Sequence, residues 1–285
     1  MLGVCLLGAT LGQPSESNAG GATKAFENLD LATTTSVRDS GLLDALLPAF
    51  ERQSGLNVRV IAVGTGAALR MGEEGNADVL LTHAPGAEQK LVDSGVVTSR
   101  TPFMENFFVI AGPPEDPAGV ASATSAPDAY SRLARAEAAY VSRSDDSGTH
   151  KREVALMRAA GLDPDHPWKG VARTGSGMGL TLQVTGERRA YVLSDIATFL
   201  AFRERTGLVV HTGADPELRN VYSVLRIDPE PFADRPRPVN ATGAKQLEAF
   251  LLRPDTLRRI GEFGRERFGR SLFDPLGLAS ATDSP

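Results

Sequence analysis

A chain of 285 residues, 41% of them hydrophobic and 23% charged, has material for two ordinary domains, each with its own core. The net charge of −5 argues against nucleic acid as a partner, since such binders carry a basic face, and it requires any anion site to work by local charge. The only cysteine, Cys5, excludes a disulfide framework and a cysteine-based metal centre.

Residues 1–12 (MLGVCLLGATLG) are apolar but too short to span a bilayer. They look like the hydrophobic part of an export signal without its basic start, and a polar small-residue linker follows through residue 21. A periplasmic or otherwise extracytoplasmic location is expected. Val4 is bulkier than the residue that normally precedes a lipidated cysteine, so a lipid anchor on Cys5 is not favoured.

Residues 29–36 (LDLATTTS) begin as a strand and end in hydroxyls. Leu42, Leu43, Leu46, Leu47 and Phe50 then share one helical face, with Asp39 or Ser40 as cap and Gly55 as stop. A second strand at 58–63 runs into a Gly-rich turn and helix at 64–69. A third, at 77–83, ends in Thr82 and His83 and precedes a helix at 88–93. Three strand–helix repeats predict a parallel sheet covered on both faces, with ligands beyond the carboxyl ends of the strands. Thr35, Ser36, Thr65 and His83 stand at those ends.

Residues 105–112 (ENFFVIAG) predict a strand that stops at Pro113 and Pro114 and crosses into a second domain. A second α/β series follows: helix 130–139, strand 140–143, helix 147–160, a Gly-rich turn at 171–180 opening a helix at 178–186, strand 190–195, helix 196–205 and a short strand at 208–211. Residues 221–227 mirror the strand at 106–111 and predict the return crossing. Helices at 240–252 and 254–263 close the domain, and 279–285 is expected to be a loose tail.

Residues 140–150 (YVSRSDDSGTH) are the richest in chemistry. A strand end becomes a helix start there, with Asp146, Ser147 and Thr149 as candidate caps. The free N–H groups and dipole of a helix start suit an anion. Arg143 adds a permanent cation with a planar fork of donors. Gly148, between two hydroxyls, lets a ligand approach the backbone. An ordinary capped helix is the plain alternative, and Arg143 beside the cap favours an oxoanion site.

Enzyme motifs are lacking. His83, His150, His166 and His211 are scattered without zinc-site spacing, and no phosphate-loop pattern occurs. Residues 175–179 (GSGMG) match neither the nucleophile elbow nor the dinucleotide fingerprint. Ser147 and His150 could suggest a Ser-dependent hydrolase, but the hydroxyl is expected to serve the cap. Donors without a base or nucleophile describe a receptor, with no cofactor and no metal.

Several of these stretches, in this order, resemble the tungstate-binding subfamily of ABC-transporter substrate-binding proteins. They are residues 33–36 (TTTS) with 39–43 (DSGLL), 63–66 (VGTG), 77–85 (ADVLLTHAP), 142–150 (SRSDDSGTH), 174–179 (TGSGMG) and 222–224 (YSV). The resemblance runs over residues 31–273. It implies an α/β, two-lobed periplasmic binding protein fold, type II-like, with two crossing strands as hinge. On this plan lobe 1 comprises residues 28–105 with 223–273, lobe 2 residues 106–222, and 274–285 a tail. It implies a monomer that captures tungstate or molybdate between its lobes, delivers it to an ABC transporter permease in the membrane, and catalyses nothing. The implied contacts are Thr35, Ser36, Thr65, Arg143, Ser147, Gly148 and Thr149, with the Ser176, Gly177 and Met178 turn nearby.

The 143–149 motif is also similar to that of phosphate-binding receptors. Protonated phosphate benefits from a carboxylate acceptor, whereas tungstate and molybdate are bare dianions best met by donors alone. Residues 82–85 read THAP where phosphate receptors have Ser-Asp-Ala-Pro, and His83 is expected to donate. One departure stands out: where the family has a basic residue after the strand ending at Asp195, this chain has Ile196.

Overall fold

The computed structural model describes residues 28–277 apart from residue 214. The export-signal and tail expectations at 1–21 and 279–285 lie outside the described residues.

In chain order the first elements are β1 (Asn28–Thr34), α1 (Thr35–Asp39), α2 (Leu42–Ser54), β2 (Asn57–Val63), α3 (Thr65–Glu73), β3 (Val79–Thr82), α4 (Pro85–Asp93) and β4 (Val97–Gly112). They are followed by α5 (Ala126–Arg135), β5 (Tyr140–Ser142), α6 (Gly148–Ala159), β6 (Val171–Arg173), α7 (Met178–Glu187), β7 (Val192–Asp195), α8 (Ile196–Thr206) and β8 (Val209–Val210). The chain continues through β9 (Arg219–Ile227), α9 (Ala241–Leu251), α10 (Pro254–Glu262), α11 (Arg265–Phe268) and β10 (Asp274–Pro275).

β1 is parallel to both β2 and β3, and almost all of it is buried, as a central parallel strand requires. β9 then returns antiparallel to β3, so the sheet is mixed, with the order β2-β1-β3-β9-β4-β10. The apolar face of α2 (Leu42, Leu43, Leu46, Leu47 and Phe50) packs with Leu29, Leu247 and Ile260 on one side of this sheet. Ala68, Leu80, Leu225 and Phe232 fill the other side. Gly55 ends α2 in the left-handed region at φ 73°, where a side chain would be strained.

β4 is the long element that organises the molecule. Its first part, through Phe107, pairs with β9, while Phe108–Ala111 pair with β7 and Ala111–Gly112 with β8. The core changes at the same point. Phe108 belongs with Tyr130, Tyr140 and Leu156, whereas Met104 belongs with β1 and α2. β9 makes the reverse passage, since Leu218 just before it lies in the Tyr130 cluster and Tyr222 in the Leu29 cluster. A fourth cluster joins Val109, Met178, Phe199 and Leu208. β5 and β6 form a parallel pair tied to this region by a bridge from Tyr140 to Tyr191. Among the described residues no helix is long and apolar enough to cross a membrane.

Several boundaries differ from the sequence expectations, including β1, which gives way to α1 at Thr35 instead of running to 36, and four more have a clear cause or partner. β4 starts at Val97 instead of 105, because Pro102 sits beside a register shift, where its missing N–H is tolerated. α5 starts at Ala126, four residues before the expected 130, and stops before Glu137, which adopts φ 45°. Ser125 caps it by accepting from Asp128 N–H. The N-cap of α2 is Gly41 and not Asp39 or Ser40, although Ser40 Oγ still accepts from Leu42 N–H at 3.2 Å. Finally, Asp274 and Pro275, expected in the tail, pair with Glu105 and Met104 as β10.

Candidate functional site

The loop from β5 to α6 turns sharply because Ser144 (φ 48°) and Asp146 (φ 57°) both take left-handed conformations. This turn folds Asp145 back onto its neighbours. Its Oδ2 accepts from Arg143 Nη2 at 2.5 Å, and its Oδ1 from Ser147 N–H at 3.2 Å. Arg143, though charged, is only 2% exposed, and its Nε donates to Ser176 O in the turn before α7. Ser147 alone of the three candidates caps α6, accepting from His150 N–H.

The start of α6 meets the carboxyl end of the first sheet. Gly148 N–H donates to Thr65 Oγ1 at 2.7 Å, which brings the first residues of α6 and α3 together. Gly148 must be glycine at this junction, since a Cβ would lie 2.7 Å from His83 Cε1 and 3.0 Å from Nδ1. A Cβ on Gly66 would meet the Asp146 carboxylate, the movable end of an exposed side chain, so that position is less constrained. Thr149, fully buried in the first turn of α6, has a hydroxyl with no hydrogen-bond partner among the described residues. A buried hydroxyl left unpaired in this way is costly, and an acceptor brought by a ligand would satisfy it.

His83 ends a buried polar chain. Its Nδ1 lies 2.8 Å from Asn220 Oδ1, and the Asn220 amide nitrogen donates to Asn106 Oδ1 and Tyr222 Oη. With the amides oriented this way Nδ1 carries the hydrogen, and the buried Asn106 Nδ2 is left without a partner among the described residues. Burial lowers the ring's pKa to about 4, with Arg143 and Arg152 acting in the same direction against Asn220, so the ring is neutral. Nε2, 3.3 Å from Ser36 Oγ, is then placed to accept from the Ser36 hydroxyl. Ser36 Oγ also lies 3.0 Å from Thr34 Oγ1.

The remaining candidates divide by what they can offer. Thr35 opens α1 half-buried beside Ser36. The Ser176 hydroxyl donates to Thr174 O within its own turn, and Gly177 is exposed at the N-cap of α7. The Met178 side chain is in the core, which leaves its backbone N–H as its only contribution to a ligand. Ile196 is likewise core, so no cation follows Asp195. Lys151 pairs with Asp146, and Arg173 donates to Pro164 O and Asp165 O, so neither replaces it. Asp195 caps α8 through Thr198 N–H and hydroxyl, and burial raises its pKa.

Two features of the region were not legible in the sequence. One is the polar chain Ser36–His83–Asn220–Asn106, whose members are far apart in the chain. The other is Glu153 of α6, which accepts from Tyr140 Oη at 3.0 Å, with Tyr130 Oη 2.7 Å beyond. Burial raises Glu153 from a usual 4.5 to about 7, against its hydrogen bonds from Ser142 and Tyr140. A carboxyl with a raised pKa binds its proton more tightly folded than unfolded, so its contribution to stability falls as pH rises from about 4.5 to about 7. Thermal or denaturant melts should show a loss of about 1 kcal/mol between pH 6 and pH 8 that disappears in Glu153→Gln. The same loss in both proteins would assign it to other groups.

Hydrolase chemistry has no geometry to support it. Ser147 Oγ serves the cap, and His150 Nδ1 accepts from Asp146 N–H instead of facing a nucleophile. Among the described residues no three His, Cys, Asp or Glu side chains converge as a metal site would require.

Comparison with known proteins adds the following. A family model described as a PBP superfamily domain matches residues 17–254. The tungstate-binding protein TupA of Peptoclostridium acidaminophilum is 38% identical over 277 residues, which is 96% of this chain and 94% of that protein. The crystal structure of the tungstate ABC transporter from Geobacter sulfurreducens is 41% identical with a TM-score of 0.74, covering 83% of this chain and 99% of that one. The tungstate-binding protein TupA from Desulfovibrio alaskensis G20 is 37% identical with a TM-score of 0.74, covering 87% and 98%.

Proposed function

Because the chain belongs to the TupA family of tungstate-binding proteins within the PBP superfamily, we propose that it is an exported receptor that captures tungstate or molybdate. It hands the anion to an ABC permease, works as a monomer, uses no cofactor and catalyses no reaction. Residues 28–105 with 223–273 act as one lobe and 106–222 as the other, hinged where β4 and β9 change partners. The bond from Gly148 N–H to Thr65 Oγ1 is the observation that carries this reading, since it joins the starts of α6 and α3 beside a buried arginine.

The anion would lie among Thr35, Ser36, Thr65, Arg143, Ser147, Gly148 and Thr149. The N-termini of α3 and α6 would add their dipoles, and the Ser176, Gly177 and Met178 turn a third helix start. Donors to a dianion contribute about 1.5–3 kcal/mol each, so this set offsets the desolvation of two charges and the closing of the lobes. Phosphate fits less well. Both oxygens of Asp145 and both of Asp195 already accept hydrogen bonds from protein groups, so a phosphate proton would compete for their remaining lone pairs.

Thermal unfolding with added sodium tungstate, molybdate, sulfate or phosphate tests the ligand class. At about a hundred times the dissociation constant, tungstate or molybdate should raise the melting temperature by about 5 °C or more, and equal phosphate should do little. Stronger stabilisation by phosphate would reassign the protein to the phosphate receptors.

A further inference from the structure

The charge at this site is incomplete for a dianion. Arg143, the buried cation there, is already paired with Asp145 at 2.5 Å, Lys151 is paired with Asp146, and Ile196 is core. A bound dianion would meet many dipoles, a compensated Arg143, and Arg152 of α6, which lies over the Phe108 ring and donates to Arg219 O. His83 is the side chain able to change that. Its Nδ1–H is held by Asn220, so Nε2 is its one protonatable nitrogen, and Nε2 is the atom that faces Ser36 Oγ. The ring cannot turn away, because Tyr222 stacks on it at 4.9 Å and Gly148 closes against Cε1.

Building on the oxoanion-receptor reading, we propose that His83 takes up one proton from solvent when the dianion binds and becomes the second cation of the site. Protonated Nε2 then donates to Ser36 Oγ. That reverses the present bond and frees the Ser36 hydroxyl hydrogen to turn to the anion. The proton returns to solvent when the anion leaves.

The groups around the ring set the balance. Arg143 from the β5–α6 loop and Arg152 from α6 oppose protonation and, with burial, keep the ring neutral at about pKa 4. Asn220 and Tyr222 from β9 and Phe108 from β4 are uncharged, and burial keeps the Tyr222 hydroxyl neutral. Asp195 at the start of α8 acts on Tyr222. Glu88 of α4 is committed to Thr82, Ala84 and Arg100. A dianion beside Ser36 adds the one strong negative field this set lacks, and an opposite charge favours the protonated ring.

Linkage gives the sign. Uptake of a proton on binding means that affinity rises as pH falls, by about tenfold per unit between the free and bound pKa values of the ring. Calorimetry of the whole protein with sodium tungstate, at about pH 6 to 7.5 and in buffers of different ionisation heat, counts the protons directly. The expected result is uptake approaching one proton in the wild type and none in His83→Gln, whose affinity should also be flat with pH. If His83→Gln does not fold, the ¹⁵N resonance of Nε2 in the wild type gives the same answer, moving to the protonated position with tungstate. Tight tungstate binding without uptake overturns the proposal and leaves the receptor reading intact, as does uptake that persists in His83→Gln. Failure of both tungstate and molybdate to bind overturns the two together.

Discussion

Replacing Arg143 by alanine should weaken tungstate binding by about a hundredfold or more, in line with the 2–5 kcal/mol typical of truncating one member of a buried charge pair. Arg143 is buried, and the hydroxyls and N–H groups around it give direction without a full charge. The structure adds a reason that the sequence did not suggest. Asp145 leans on Arg143 at 2.5 Å, so the truncation also leaves a carboxylate bare beside the incoming dianion. The double variant Arg143→Ala/Asp145→Asn should therefore recover part of the loss. Arg143→Lys should recover less than full affinity, because one ammonium cannot reproduce a fork that reaches both Asp145 and Ser176 O. Ser147→Ala and Thr149→Ala should each cost less than Arg143→Ala. The fold should survive, since the Asp145 carboxylate left behind keeps some contact with solvent and its bond from Ser147 N–H. Calorimetric binding within about threefold of the wild type would show that the site lies elsewhere.

Gly148→Ala is the second large effect, about thirtyfold, as forced overpacking at a rigid contact implies. The added methyl would sit 2.7 Å from the His83 ring, and the ring has nowhere to go. Tyr222 stacks on it at 4.9 Å and Asn220 holds Nδ1 at 2.8 Å. The start of α6 would be held off Thr65, so the lobes could not meet fully. Solution scattering should then show less compaction on adding tungstate than in the wild type. Gly86→Ala, in open space in α4, is the control and should change neither quantity. Normal affinity and compaction in Gly148→Ala would mean that the two halves do not meet along this line when the anion is held.

The alternation of strands and helices was readable because each signal is local. β1, with an unbroken buried run, and α2, with its leucines at helical spacing, state their own structure. The first half of β4 did not, because residues 97–104 (VTSRTPFM) mix polar residues with Pro102, and only pairing with β9 makes them a strand. The start of α5 does carry a local signal, Ser125 three residues before Asp128, a cap followed by an acid. The strand-to-helix turn at 140–150 was also readable locally, with Ser147 among its three candidate caps. His83 could not be read this way. Its tautomer is set by Asn220, 137 residues away, and its neutrality by burial among elements from across the chain. Residue type alone leaves the direction of its hydrogen bonds open, and only tertiary contacts decide it.

An oxoanion is expected where the starts of α3 and α6 meet beside Arg143. Crystals grown with sodium tungstate and measured at a tungsten absorption edge locate the metal directly by anomalous scattering. One strong peak is expected within hydrogen-bonding reach of Thr65, Arg143 and Thr149. A tungsten site elsewhere, or none in this cleft at saturating tungstate, would contradict it.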